Sequence, residues 1–355
     1  MIQNGLLGIA AVRGTGFQRR FNLLIAALGV MLVGISSEAV LAQSYLFADL
    51  PNPSGTTVFQ PNGINNAGLI IGLSVGSSIS DAHGYVYSGG SYTPFNHPLA
   101  TGANQFTVPA AINNLGQIAG QYVGANGFPG QPFLYSAGAF TNLPNPVGAI
   151  AFQPNGINDT GKIIGLSIGS NSDLHGFVYS NGTYTPFDHP LAIGPNQFTV
   201  PGAINDLGQI AGLYVGANGV PGQPFLYSGG TFTNLPNPTG AIGFQPNGIN
   251  DEGQMIGLSI GSNFELNGYV YSNGTYTPFN HPLAGSGPNQ FTVPGAINDL
   301  GQIAGVYIDA NDVRHAFLAT PVAGVPLGHS PWPTAILGLA GACLVAYRRR
   351  RNANA

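Results

Sequence analysis

Leu46-Phe47-Ala48-Asp49-Leu50-Pro51-Asn52-Pro53 stands ahead of the first repeat of this chain. It nevertheless copies Ala139-Phe140-Thr141-Asn142-Leu143-Pro144-Asn145-Pro146 and residues 231–238, which lie inside later repeats. What recurs behind it explains the displacement. Gly63-Ile64-Asn65-Asn66-Ala67-Gly68 returns at residues 111–116, 156–161, 203–208, 248–253 and 296–301. The isoleucines Ile64, Ile112, Ile157, Ile204, Ile249 and Ile297 are 45–48 residues apart. Self-similarity at that period marks a repeat architecture.

Each repeat divides into four apolar runs, A to D. In the fourth they cover residues 197–205, 209–215, 224–228 and 231–235. Between A and B the Asn-x-x-Gly tetrapeptide has turn chemistry, with glycine free to take positive φ. Between C and D sit Gly89-Gly90, Ala137-Gly138, Asn181-Gly182, Gly229-Gly230 and Asn273-Gly274, two-residue links of the β-hairpin kind. Four hairpin-linked strands per repeat match the blades of a propeller. After the last C run, residues 316–320, no D run follows, because the chain turns to Pro321-Val322-Ala323-Gly324. The displaced stretch at residues 46–53 supplies it. A ring closed in this way leaves no open edge, so the sequence predicts an all-β, six-bladed β-propeller whose first strand completes the last blade. A β-solenoid is the alternative, but it has no use for a displaced strand.

Composition agrees with many short strands. Glycine (54) and proline (28) occupy fixed places among Ile, Val, Phe and Tyr. Of nine basic residues only Lys162 and Arg314 lie between residues 43 and 325, against twelve of the thirteen acids. So few cations cannot neutralise a row of phosphates, which argues against a nucleic-acid partner. The single cysteine, Cys343, lies outside the repeats, so burial and strand pairing must hold the fold.

The two ends read as addresses. Residues 1–42 place Arg13, Arg19 and Arg20 before an apolar run and close on Val40-Leu41-Ala42, the pattern of a secretory signal peptide. The repeat domain occupies 43–322 and a Pro/Gly linker 323–333; 334–355 hold a short apolar segment followed by Arg348 to Arg351. That tail, with Val325-Pro326 ahead of it, resembles the PEP-CTERM class of bacterial sorting signals, although its Pro-Glu-Pro core is replaced by Val325-Pro326-Leu327-Gly328. The resemblance implies export, a membrane contact through the tail, and removal of the tail by an exosortase-like protease.

Odd and even repeats differ, giving a larger period of 92–93 residues and pseudo-threefold symmetry. Antiparallel order puts the A–B and C–D turns on one face and the B–C and D–A loops on the other. The loops vary, so a partner is expected there. His83, His175 and His315 precede C runs, and the last reads His315-Ala316-Phe317. With the Gly-Ile-Asn-x-x-Gly turns, this resembles bacterial extracellular HAF-repeat proteins; the resemblance implies secretion and a repeat fold, with no assigned catalytic residues. His83, His175, Asp309, Asp312, Arg314 and His315 are the candidate ligand-binding residues, the last four being the one group that breaks the symmetry. His97, His189 and His281, which follow D runs, read as structural. The turn acids Asp159, Asp206, Asp251 and Asp299 read as turn formers, since no calcium-loop spacing accompanies them. No nucleophile elbow, phosphate loop, zinc spacing or dinucleotide fingerprint is present, and no cofactor or metal is expected. The functional expectation is a secreted or surface-associated module that binds protein or glycan, or is structural. The alternative is an extracellular hydrolase or lyase on the same scaffold.

Overall fold

β-branched and aromatic residues alternating between turn signals give 24 strands in the computed structural model, which describes residues 45–322 apart from 77–81, 172, 220, 264 and 288–289. The expected signal peptide, the linker and the apolar tail lie outside the described residues. Among the described residues no helix is long and apolar enough to cross a membrane.

The chain opens with β1 (Tyr45–Leu50). Blade 1 follows as β2 (Val58–Ile64), β3 (Ile70–Val75), β4 (His83–Ser88) and β5 (Ser91–Pro94). Blade 2 is β6 (Phe106–Ile112), β7 (Ile118–Val123), β8 (Gln131–Ser136) and β9 (Ala139–Asn142). Blade 3 is β10 (Ala149–Ile157), β11 (Ile163–Gly169), β12 (Leu174–Ser180) and β13 (Thr183–Pro186). Blade 4 is β14 (Phe198–Ile204), β15 (Ile210–Val215), β16 (Gln223–Ser228) and β17 (Thr231–Asn234). Blade 5 is β18 (Ala241–Ile249), β19 (Met255–Gly261), β20 (Leu266–Ser272) and β21 (Thr275–Pro278). Blade 6 contributes β22 (Thr292–Ile297), β23 (Ile303–Ile308) and β24 (Arg314–Pro321), and its fourth strand is β1. β1 pairs antiparallel with β24 from Tyr45↔Pro321 to Leu50↔Ala316. The molecule is a six-bladed β-propeller closed by its first strand, as the displaced run predicts.

Each A strand is innermost, and each carries a proline (Pro61, Pro109, Pro154, Pro201, Pro246, Pro294) next to a register shift. An inner edge tolerates proline because no strand in its own sheet needs that missing N–H. The B strands need glycine opposite. A Cβ on Gly72, Gly165 or Gly257 would lie 2.1 Å from the carbonyl oxygen of Gln60, Gln153 or Gln245. That clash explains why the third residue of every B strand is glycine. In the C–D hairpins Asn181 and Gly182 take φ of 49° and 82°, both positive, as a primed turn requires.

The core runs between blades as a ring. Phe59, Ile64 and Ile70 of blade 1 pack on Ala296, Ala304 and Val306 of blade 6 and on Leu50 of β1. Ile71 and Phe95 pack likewise on Ile112, Ile118 and Phe133 of blade 2. Every blade buries a phenylalanine completely: Phe59, Phe133, Phe152, Phe225, Phe244 and Phe317 in turn. Each contributes about 2–3 kcal/mol in area removed from water.

Candidate functional site

On the turn face the six A–B turns meet around the axis. Asn65 shows the local reason for the turn: its Oδ1 accepts the N–H groups of Ala67 (3.1 Å) and Leu69 (3.0 Å), and the Gly68 N–H donates to its carbonyl oxygen (3.0 Å). Its Nδ2 donates to the Asn113 carbonyl oxygen of the next blade (3.2 Å). The same bond runs from Asn113 to Asn158, then to Asn205, Asn250 and Asn298, and from Asn298 back to Asn65. A second closed ring uses the following residue. The Asn66 N–H donates to Asn114 Oδ1 (2.9 Å), Asn114 to Asp159 (2.8 Å), Asp159 to Asp206 (2.6 Å), Asp206 to Asp251 (2.8 Å), Asp251 to Asp299 (2.9 Å), and Asp299 to Asn66 (2.9 Å).

The turn acids are turn formers, as the sequence suggests, but they also converge. Carboxylate oxygens of Asp206, Asp251 and Asp299 lie within 4.8 Å of one another, a spacing that could hold a divalent cation. Asn114 Nδ2 reaches across to Asp206 Oδ2 and Asp299 Oδ2, both at 3.2 Å. Burial, and then repulsion from Asp159, Asp251 and Asp299, raise the Asp206 carboxyl above its ordinary value. Reading the sequence one turn at a time misses this, because the meeting point exists only once six blades close.

The loop-bearing face holds the histidines. His97, His189 and His281 are buried and lie flat on Tyr122, Tyr214 and Tyr307, with ring centroids 3.7, 3.8 and 3.7 Å apart. In each, ring Nδ1 accepts the N–H two residues on, from Leu99, Leu191 and Leu283, all at 3.2 Å. Burial lowers the affinity of all three rings for a proton, and His281 falls to about 4. They are structural, as expected. His189 Nε2 lies 2.9 Å from Asn234 Oδ1, and Asn234 Nδ2 donates to the Tyr214 hydroxyl (3.3 Å). Blade 2 repeats the second bond from Asn142 to Tyr122 (3.2 Å).

Blade 6 departs from this pattern. Asp49 of β1 stands where Asn142 and Asn234 stand. It lies 3.6 Å from His281 Nε2 and accepts the Tyr307 hydroxyl at 3.3 Å. His315 stacks on the other side of Tyr307 (4.9 Å) and bonds through Nε2 to Asp309 Oδ2 (3.1 Å). Asp309 Oδ1 accepts the N–H groups of Asn311 and Val313, and these bonds hold its carboxyl below the ordinary range, Val313 contributing most. Of the four predicted residues, then, Asp309 and His315 are brought together. Asp312 turns to Gln290 Nε2 (3.1 Å), and Arg314 is half-buried, its guanidinium pushed down by desolvation. His175 Nδ1 lies 3.5 Å from Asp188 on blade 3, while His83 is exposed on blade 1. Asp49, His281 and Tyr307 complete the blade 6 group, and only the closure of the ring brings Asp49 to it.

No family model and no curated protein matches the chain. Solved propellers do. The β-propeller domain of the trilobed protease from Pyrococcus furiosus, described as having an open velcro topology, aligns over 79% of this chain and 98% of its own at 8% identity and a TM-score of 0.44. A mutant of the Aleuria aurantia lectin in complex with Fucα1-6GlcNAc aligns over 78% and 100% at 12% identity and 0.46. Trypanosoma rangeli sialidase with the inhibitor DANA aligns over 88% and 63% at 10% identity and 0.47. These likenesses are of fold alone.

Proposed function

We propose that the chain is a secreted or surface-associated propeller that binds a protein or glycan through its loop-bearing face. The use of the blade histidines carries this reading. His97, His189 and His281 are spent in buried stacks, and the His–Asp pairs His175–Asp188 and His315–Asp309 sit on separate blades. A catalyst needs one convergent constellation; a binding module works well with related surfaces repeated around an axis. Leu99, Leu191 and Leu283 recur exposed beside the histidines and give that face an apolar component. The described chain enters and leaves through the turn face, where Tyr45 pairs with Pro321, on the side opposite the loops.

Export by the signal peptide, membrane contact through the tail and trimming by an exosortase-like protease belong to the same proposal, supported by the sequence patterns at 1–42 and 323–355. An extracellular hydrolase or lyase is the second reading. The asymmetric group of Asp49, His281, Tyr307, His315 and Asp309 favours it. A glycan and surface-protein binding screen on the purified protein, with and without calcium, tests the first reading. Saturable binding lost on substituting loop-face residues supports it; no saturable partner in either condition overturns it in favour of a purely structural coat role. Release of new chain ends from a bound glycan moves the assignment to the second.

A further inference from the structure

We propose that β1 is an acid-released strand, held in the ring by a side-chain clasp that works only while His281 is neutral. Alternate residues of β1 face blade 5. The Tyr45 ring lies 5.1 Å from Phe279, Phe47 lies 5.4 Å from Phe279 and 4.7 Å from His281, and Asp49 reaches His281 and Tyr307. His281 is 4% exposed and sits against Tyr307, Phe47 and Phe317.

Its hydrogen bonding fixes its charge. Nδ1 accepts the Leu283 N–H at 3.2 Å, so in the neutral ring the proton is on Nε2, facing Asp49. A second proton can only go to Nδ1. There it opposes the Leu283 N–H and puts a cation inside an aromatic stack, at the cost of desolvation and a lost hydrogen bond. The titratable groups facing the ring are Asp49 from β1, Tyr307 from β23 and His315 from β24, with Asp309 behind His315. Asp49 favours the charged ring and His315 opposes it. Burial outweighs both.

Blades 2 and 4 contain the same stack, and their histidines are also held neutral. The difference is the tether. β9 and β17 are joined to their neighbours by the two-residue links Ala137-Gly138 and Gly229-Gly230, so loss of the clasp leaves them in place. β1 has no such link to β24. It is held by its pairing along β24, by the side chains of Tyr45, Phe47 and Asp49 toward blade 5, and by Leu50 in the core shared with blade 1. Once β1 lifts away, His281 gains water and can protonate. Opening therefore takes up a proton, and it becomes roughly tenfold more favourable per pH unit below about 6.5 until the closed ring itself titrates.

Hydrogen exchange on the full chain, read as protection factors at pH 7 and 4.5, tests this. Protection of residues 45–50 is expected to fall roughly 10- to 100-fold more than that of residues 139–142 and 231–234. Replacing the sensor, His281→Gln, should abolish the excess fall even if it weakens the seam at neutral pH. Asp49→Asn, which installs the side chain found at Asn142 and Asn234, should keep β1 protected at pH 7 and retain the pH dependence. The proposal is overturned by β1 protection that follows β9 and β17 at both pH values, by an undiminished fall in His281→Gln, or by loss of the fall in Asp49→Asn.

Discussion

Replacing Asp206 with asparagine should stabilise this protein, although it removes a charged hydrogen-bond acceptor. Asp206 shares the turn-face centre with Asp251 and Asp299, their carboxylate oxygens within 4.8 Å, and with Asp159 beside it. Two unit charges near 5 Å repel by about 1 kcal/mol in water-like surroundings and by roughly 3 kcal/mol at an effective dielectric near 20. The ring is half-buried at a solvent-facing mouth, so the lower figure per pair is appropriate, and salt reduces it further. Against this stands the bond from Asn114 Nδ2 to Asp206 Oδ2 (3.2 Å), which is lost because an amide nitrogen takes the place of that oxygen, while Asn114 Nδ2 keeps its other acceptor, Asp299 Oδ2 (3.2 Å). The ring bond from the Asp159 N–H survives, because an asparagine Oδ1 accepts in the same way, as Asn66 and Asn114 already do. The balance is a gain of about 1 kcal/mol at pH 7, or a Tm higher by about 2–4 °C for a domain of this size. Thermal melts in chelator at low and high salt measure it. The gain should shrink with salt and also as the pH falls. The Asp206 carboxyl is raised in the folded state, so its charge costs stability at neutral pH, and protonation through the raised value relieves that cost. A variant less stable than the parent in low salt and chelator refutes the repulsive reading of the ring. A gain with calcium in the parent that Asp206→Asn lacks would mean that a cation neutralises it.

Four further expectations rest on the same geometry. Gly165→Ala should cost roughly 3 kcal/mol or more in denaturant unfolding, since its Cβ would meet the Gln153 carbonyl oxygen at 2.1 Å. Gly161→Ala, with open space but φ of +76°, should cost only about 1–2 kcal/mol, separating steric clash from backbone strain. Phe152→Ala, at a fully buried position between blades 2 and 3, should cost about 3–5 kcal/mol. Stability should fall as pH drops below about 6.5, because His97 and His189 are held neutral in the fold and protonate when unfolded; His189→Gln should flatten that slope in pH-dependent melts.

The fold was legible because a propeller is built from local rules repeated. The Asn-x-x-Gly turns, the two-residue hairpins and the displaced D run each occupy a fixed place in the chain, and the pairing Tyr45↔Pro321 to Leu50↔Ala316 is the one the displaced run requires. The sites were less legible because they depend on residues far apart in sequence. Asp309 and His315 are close in the chain and were readable as a pair. Asp49 resembles any other D-run residue until closure sets it against His281 and Tyr307. The convergence of Asp206, Asp251 and Asp299 likewise has no local signal, since each turn looks the same from within its own repeat.

That contrast also says where variation can accumulate. The inner turn ring uses the Nδ2 and Oδ1 atoms of Asn65, Asn113, Asn158, Asn205, Asn250 and Asn298, and every copy is asparagine because only a side-chain amide both caps its own turn and donates to the next. The outer ring needs only an acceptor, and its positions are asparagine twice and aspartate four times. A change at any inner position breaks a bond to the neighbouring blade, so the turn face is locked by the closure it provides. Among the described residues the B–C and D–A loops carry no such ring. They can differ from blade to blade without opening the propeller, and the largest departure from symmetry, around Asp49, His281, Tyr307 and His315, lies on their face. The proposed partner site belongs on that face because there the chain can vary without loss of closure.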